Sequence, residues 1–129
     1  MLIFALLVTA LLFGGMLLYA FGFAAFMFSA LPAGDAGAVI RRAFPHFYLF
    51  VSGCASVAAA LLYRSDPLAA GLLAFIAATT LPTRQLLMPA INQATDCGAK
   101  ARFKLLHGLS VIVTLLHIGI TGLVLSRFL

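Results

Sequence analysis

The segment HGLSVIVTLLHIGIT, residues 107–121, is an apolar run that contains a regular series of polar side chains. These polar residues recur three, four, three and four positions apart, which is the spacing of one face of an α-helix. Hydrocarbon cannot hydrogen-bond to hydroxyl or imidazole groups, so this face is expected to point at protein rather than at lipid. The polar face, as we name it, consists of His107, Ser110, Thr114, His117 and Thr121.

The composition of the whole chain indicates a membrane protein. Of the 129 residues, 64% are hydrophobic and only 9% are charged, whereas a soluble domain carries roughly 25% charged residues. The net charge of +5 does not indicate a nucleic-acid partner, because the basic residues lie between apolar runs and so follow the pattern of membrane topology. The length of the chain allows one domain.

Four apolar segments are candidates for crossing a bilayer, which requires about 20 residues in a helix. The first is expected to be a retained helix, since a signal-peptide core has about 7–15 apolar residues and follows basic residues. The predicted fold is all-α, an integral membrane four-helix bundle with up-down topology over residues 1–129. The predicted spans are, to within a turn, residues 2–29, 45–63, 68–83 and 105–125.

The basic residues predict the orientation of this bundle. Six of them lie in the two loops that share one side, and only Arg64 and Arg127 lie on the other. Because the more basic side of a membrane protein is cytoplasmic, both termini are expected outside, and a bacterial cytoplasmic membrane is the expected location. Four of the six are also expected to anchor the chain to anionic lipid headgroups. They are Arg84, Lys100, Arg102 and Lys104.

Small residues on the spans predict where the helices pack. Glycine lets two helix backbones approach closely within a membrane, and it is costly inside a helix that has no such contact. The glycines expected at helix–helix contacts are Gly15, Gly22, Gly108, Gly119 and Gly122.

Depth in the bilayer predicts partners for the polar face. Counting from the expected cytoplasmic end of its span puts His117 about 18 Å deep, near the bilayer centre. Tyr19 in the first span reaches the same depth by this count and is the expected hydrogen-bond partner of the imidazole, with serines of the second span next. The bundle core is therefore expected to contain Tyr19, Ser52 and Ser56 beside the polar face.

The three histidines are the candidate cofactor ligands, because an ionisable side chain inside a membrane is by default a functional residue. His46 and His107 begin two spans at the same side, so they are expected to approach within reach of one ligand. Haem b or copper is one interpretation, with His117 as the third candidate. The other interpretation is a set of neutral imidazoles that hydrogen-bond inside the bundle, and it implies no cofactor.

No motif for hydrolysis or phosphate binding is present, and an enzymatic activity is not favoured. All three acidic residues are aspartates in predicted loops, so no carboxylate inside the membrane can relay protons. The favoured function is an accessory or structural protein that packs on a larger membrane complex or on its own copies. The alternatives are a haem- or copper-binding membrane protein and a small-solute transporter that acts as an oligomer.

Four stretches of the sequence resemble the transmembrane protein 205 family, which is also classed as a bacterial domain of unknown function. They are GGMLLYAFGFAAFMFSALP, FPHFYLF, LMPAINQATD and FKLLHGLSVIVTLL, in this order along the chain. Thr114 departs from the family, whose members often carry an amide there. The resemblance implies the four-span architecture and no established activity. In the last stretch the residues that match the family pattern are Phe103, Lys104, His107, Ser110 and Val111.

Overall fold

The computed structural model describes residues 1–129, and its first half is a hairpin of two long helices. α1 runs Leu2–Ala30 and includes a π-helical turn at Leu18–Phe23, and α2 runs Ala33–Leu62. Leu31 between them is extended, because the ring of a following proline disfavours the helical conformation. The hairpin turn is therefore shorter than the loop that the sequence suggested.

The second half is a similar hairpin. α3 covers residues 67–96, with a π-helical turn at Thr83–Leu87, and α4 runs Lys100–Ser126. Asp66 caps α3 by accepting a hydrogen bond from the backbone N–H of Ala69 at 3.1 Å. Gly98 in the turn before α4 has φ +67°, a conformation that favours glycine. The predicted all-α class is confirmed, and the chain contains no strand.

The helices extend beyond the predicted spans at the ends that the α1–α2 and α3–α4 turns connect. α2 begins at Ala33 rather than near Pro45, and α3 continues to Asp96 through the segment expected to be a polar connection. Alanine favours helix even where the hydropathy is low, and α2 has four alanines between residues 33 and 43. The limits of the membrane-embedded parts themselves stay predictions.

Three helices, α1, α2 and α4, are long and apolar enough to cross a membrane. In α3 the apolar part, Pro67–Pro82, has 16 residues and continues into a more polar C-terminal part. Large hydrophobic side chains are exposed along the outer faces of the bundle, for example those of Phe4, Leu11, Ile112 and Leu116. Helices of this length and composition suggest a membrane protein.

The helices form a four-membered ring in which α2 packs against α1 and α3, and α4 packs against the same two helices. The closed end of the bundle is the end that holds both chain termini and the α2–α3 turn. There Leu12, Leu73 and Val124 are fully buried. The opposite end, which we name the open end, holds the α1–α2 and α3–α4 turns. No residue of α1 from Leu18 to Ala30 is buried there.

Candidate functional site

A cavity of about 920 Å³ lies among the four helices at the open end. Its walls are the second half of α1, the first half of α2, the last turns of α3 and the first half of α4. Small-molecule sites in proteins have volumes of about 300–1,000 Å³. The cavity is therefore large enough for a small-molecule ligand and is the candidate functional site.

Several of the helix segments around the cavity carry small side chains. α2 contributes Ala33, Gly34, Gly37 and Ala38 to the wall. Ala20 and Phe21, which also line it, lie in the π-helical turn of α1, and such turns frequently occur at functional sites. α4 packs against the Leu2–Leu17 part of α1, whereas the cavity lies between α4 and the rest of α1.

Two adjacent arginines of α2 line the cavity and differ in their partners. Arg41 donates two hydrogen bonds to Asp96 at the end of α3, from Nη1 to Oδ1 at 2.8 Å and from Nη2 to Oδ2 at 2.7 Å. The hydrogen bond from Arg41 lowers the pKa of the Asp96 carboxyl. Arg42 forms no ion pair and no hydrogen bond with another side chain. Since the cavity wall contains no acidic residue, Arg42 leaves an unbalanced positive charge at the cavity.

The first half of the polar face lines this cavity through His107, Ser110 and Thr114. Both hydroxyls are satisfied within α4, because Ser110 Oγ donates to the carbonyl of His107 at 2.7 Å and Thr114 Oγ1 donates to that of Ser110 at 3.0 Å. The ring of His107 stacks on Phe103, with 5.4 Å between the centroids, and makes no hydrogen bond to protein. The hydroxyls therefore need no partner across the cavity.

The second half of the polar face packs inside the bundle. His117 is only 5% exposed, and its Nε2 lies 2.8 Å from Thr79 Oγ1 of α3. The Thr79 hydroxyl also lies 2.8 Å from the carbonyl of Phe75. When its single proton is donated to that carbonyl, Nε2 of the imidazole is the donor of the bond to Thr79. Thr121 is fully buried and donates to the carbonyl of His117 at 2.7 Å.

The predicted pairing of His117 with Tyr19 is wrong. The Tyr19 hydroxyl donates to the carbonyl of Ala43 on α2 at 2.8 Å. The predicted depth was counted from incorrect helix ends. His117 lies seventeen residues after Lys100, the first residue of α4, and Thr79 lies seventeen residues before Asp96, the last residue of α3. The two side chains are therefore level in the bundle.

The structure does not place all the predicted ligands and core residues together. Both His46 and His107 are exposed, but only His107 lines the cavity. Ser52 is half-buried and Ser56 is exposed, so the serines of α2 do not continue the polar face. Nowhere in residues 1–129 do three His, Cys, Asp or Glu side chains come together in a group that could hold a metal ion.

The five glycines differ in their surroundings. A methyl group added at Gly15 would lie 2.6 Å from the ring of Phe50 on α2, and one at Gly122 would lie 3.4 Å from the ring of Phe13 on α1. At Gly22 it would meet only Leu18 of the same helix, at 3.3 Å. At Gly108 and Gly119 it would meet no atom within 4 Å. The expected close helix contacts at Gly22, Gly108 and Gly119 are therefore absent within one chain, because no other helix approaches them.

The four basic residues expected at the headgroups also fall into two groups. Arg84 is half-buried, and its Nε donates to the carbonyl of Pro45 at 3.2 Å, so its side chain is directed at α2. Lys100, Arg102 and Lys104 are exposed and form no ion pair. Their role as lipid anchors stays a prediction.

Sequence reasoning missed four polar residues of the cavity, namely Arg41, Arg42, Asn92 and Thr95. Arg42 was counted only for orientation, and Asn92 was assigned to a loop. The available signal was the arginine pair itself, which interrupts an otherwise apolar segment of α2.

The model of the family described as Domain of unknown function (DUF4149) matches residues 7–100. The chain belongs to this family. The DUF4149 region includes nearly all of α1, together with α2 and α3, and ends at the first residue of α4, so it contains Arg42 and Asn92 but not His107. No curated protein and no solved structure matches the chain.

Proposed function

We propose that this chain is an integral membrane protein that binds a small amphipathic molecule in the cavity at its open end. The observation that carries the proposal is the cavity of about 920 Å³ between helices whose other ends are tightly packed. Ligand sites in helical bundles are formed by side chains on facing helices. The cavity fits this pattern, because side chains of four facing helices form its wall and that wall is largely apolar with a few polar groups.

We further propose that the open end faces the cytoplasm from a bacterial cytoplasmic membrane. The three long apolar helices support the membrane location. The basic residues support the orientation, since Arg42, Lys100, Arg102 and Lys104 all belong to the open end. The exposed lysines and arginine near the α3–α4 turn also suit contacts with anionic lipid headgroups.

The experiment is photolabelling of the purified chain in nanodiscs with a neutral twelve-carbon alcohol that carries a diazirine. We expect labelled peptides from the cavity walls at concentrations that label the outer faces weakly. Gly37→Phe should fill the cavity, because Gly37 lines it and a Cβ atom added there meets no atom within 4 Å. This variant should reduce cavity labelling at least tenfold.

Gly119→Phe is the matched control, because this helical glycine also has free space around it but lies outside the cavity. It should label like the wild type. Equal cavity labelling in wild type and Gly37→Phe, or no cavity labelling in either, would contradict the proposed function.

A second candidate, an accessory subunit of a larger complex or a homo-oligomer, is favoured by one face of α4. Gly108 and Gly119 are open on that face, and Ile112 and Leu116 are exposed. A helix of a partner protein is able to approach closely there. Gly119→Leu should then dissociate the assembly, as measured by crosslinking in the membrane. An unchanged crosslinking pattern would argue against this candidate.

A haem-binding role is the remaining candidate, and it depends on His107 as the cavity histidine. An absorbance spectrum of the purified chain with added haem tests it. His107→Ala should then remove the haem band and His46→Ala should not, because His46 does not line the cavity. A transport path through a single chain is not favoured, since the closed end is filled by buried side chains.

A further inference from the structure

We infer that the ligand of the cavity is a free single-chain amphiphile with a carboxylate head, such as a fatty acid. This inference rests on the proposed function, because it specifies the chemical class of the molecule that the cavity binds. Two features of the wall carry it: a set of unpaired hydrogen-bond donors and an elongated apolar surface.

The donors are Arg42 on α2, Asn92 on α3 and His107 on α4. None of these three side chains forms a hydrogen bond or an ion pair with another group of the protein. They come from three different helices and line one cavity. All three are able to donate hydrogen bonds, and the guanidinium of Arg42 adds a positive charge.

Apart from the Tyr48 hydroxyl, the other polar groups of the wall are already occupied. Asp96 neutralises Arg41, and the hydroxyls of Thr95, Ser110 and Thr114 donate to carbonyls of their own helices. With no acidic residue in the wall, the groups left free favour an anionic acceptor. A carboxylate suits them, because guanidinium and carboxylate groups form strong charge-assisted hydrogen bonds.

The apolar part of the cavity suits a chain more than a compact molecule. The wall on α1 is apolar and extends from Ala20 to Phe28, and the wall on α4 extends from Phe103 to Thr114 through both apolar and polar side chains. At 1.5 Å per residue these segments are about 12 Å and about 16 Å long. A phospholipid with two chains is larger than the drug-sized ligands that fill cavities of about 300–1,000 Å³. The volume therefore favours one chain.

The experiment compares two photoactivatable probes of the same chain length in nanodiscs of zwitterionic lipid, a twelve-carbon diazirine carboxylate and the corresponding alcohol. At pH 8 we expect the carboxylate to label the cavity peptides at concentrations at least tenfold lower than the alcohol. Arg42→Gln should reduce this preference to twofold or less while labelling by the alcohol persists. Arg64→Gln is the matched control, because Arg64 is also exposed and unpaired but lies at the closed end, and it should keep the preference.

The outcomes separate the two proposals. If the alcohol labels the cavity and the carboxylate does no better, the inference about the head group is overturned and the proposed function stands. If neither probe labels the cavity, the proposed function itself fails. A preference that survives in Arg42→Gln would also overturn the inference, since it would assign the head group to another site.

Competition identifies the source of the acidic group. Laurate should displace the carboxylate probe, whereas inorganic phosphate and phosphatidylglycerol added at the same concentration should not. Equal displacement by phosphatidylglycerol would overturn the assignment to a single-chain ligand. Displacement by inorganic phosphate would show that the apolar chain contributes nothing to recognition, and this result would also overturn it.

Discussion

At the closed end of the bundle, Arg127 at the end of α4 binds Asp66 before α3, with 2.6 Å between Nε and Oδ2. At the open end, Arg41 binds Asp96 with 2.7 Å between Nη2 and Oδ2. Each ion pair joins two helices, yet side chains fill the interior of the closed end and leave a cavity at the open end. Exposed ion pairs of this kind contribute little to stability, so they do not explain the difference in packing.

The side chains that the two ends place in the interior differ. At the closed end the interior positions hold Leu12, Leu73, Ile76 and Val124, all 0% exposed. At the open end the wall of α2 includes the small residues Ala33, Gly34, Gly37 and Ala38. The polar face of α4 passes through both regions, so its first half lines a cavity and its second half packs in a core. The polar face therefore lines a cavity at one end and packs in the core at the other, and the side chains of the neighbouring helices decide which of the two occurs.

The largest expected difference between the two ends comes from truncating an isoleucine in α3. Ile76→Ala should lower the free energy of unfolding by about 2–5 kcal/mol, because it removes a fully buried side chain. Ile91→Ala is the matched change at the cavity wall and should cost less than about 1 kcal/mol, since the lost atoms already border empty space. Unfolding in mixed micelles measures both. Equal losses of unfolding free energy would show that protein side chains fill the cavity in the micelle.

Adding a methyl group should have opposite effects at two glycines. Gly15→Ala should cost about 1–3 kcal/mol, because its Cβ would lie 2.6 Å from the Phe50 ring, which must move. Gly119→Ala should stabilise by up to about 1 kcal/mol, since alanine favours helix and the site is open. The same unfolding assay compares them. A loss of stability in Gly119→Ala would indicate that another chain packs on this face.

Removing a threonine hydroxyl should lower stability only where that hydroxyl forms a hydrogen bond with another side chain. Thr79→Val leaves the buried imidazole of His117 without its partner and should cost about 1–3 kcal/mol. Thr114→Val should be nearly neutral, because that hydroxyl bonds only its own helix. A double-mutant cycle of Thr79→Val with His117→Leu should show coupling. Additive losses would mean that the hydrogen bond does not contribute to stability.

The smallest effect on stability should come from removing either of the two ion pairs, and this effect should depend on pH. The pKa of the Asp66 carboxyl is lowered chiefly by the hydrogen bond from Arg127 and then by the backbone N–H of Ala69, and that of Asp96 is lowered by Arg41. A lowered folded-state pKa means that the stabilisation is present above the unfolded value of about 3.9 and is lost as pH falls through the folded value.

Asp66→Asn should therefore reduce the thermal midpoint at pH 7 more than Asp96→Asn, because only Asp66 also caps a helix. Both variants should lose less stability than the wild type between pH 5 and about pH 3. Thermal unfolding monitored by circular dichroism measures this. A larger effect of Asp96→Asn would mean that the Arg41 pair holds the open end together.

Much of the architecture followed from local sequence, and the failures followed from helix ends. The apolar runs and the turn residues predicted four helices, and the heptad-like spacing from His107 to Thr121 predicted one continuous polar face. The early start of α2 at Ala33 and the continuation of α3 to Asp96 were not predicted, because composition near an end does not determine the last helical residue. Because depth was counted from incorrect helix ends, each side chain was assigned the wrong depth, and Thr79 was missed as the partner of His117.

The sequence by itself determined the all-helical class, the apolar outer surface and the spacing of the polar face, since each depends on residue type and periodicity along one segment. Only the tertiary structure decided that Arg42, Asn92 and His107 line one cavity while His46 does not. The reason is physical: a cavity is the volume that side chains of four helices leave empty together. That volume depends on how the helices are placed relative to one another, which no single segment encodes.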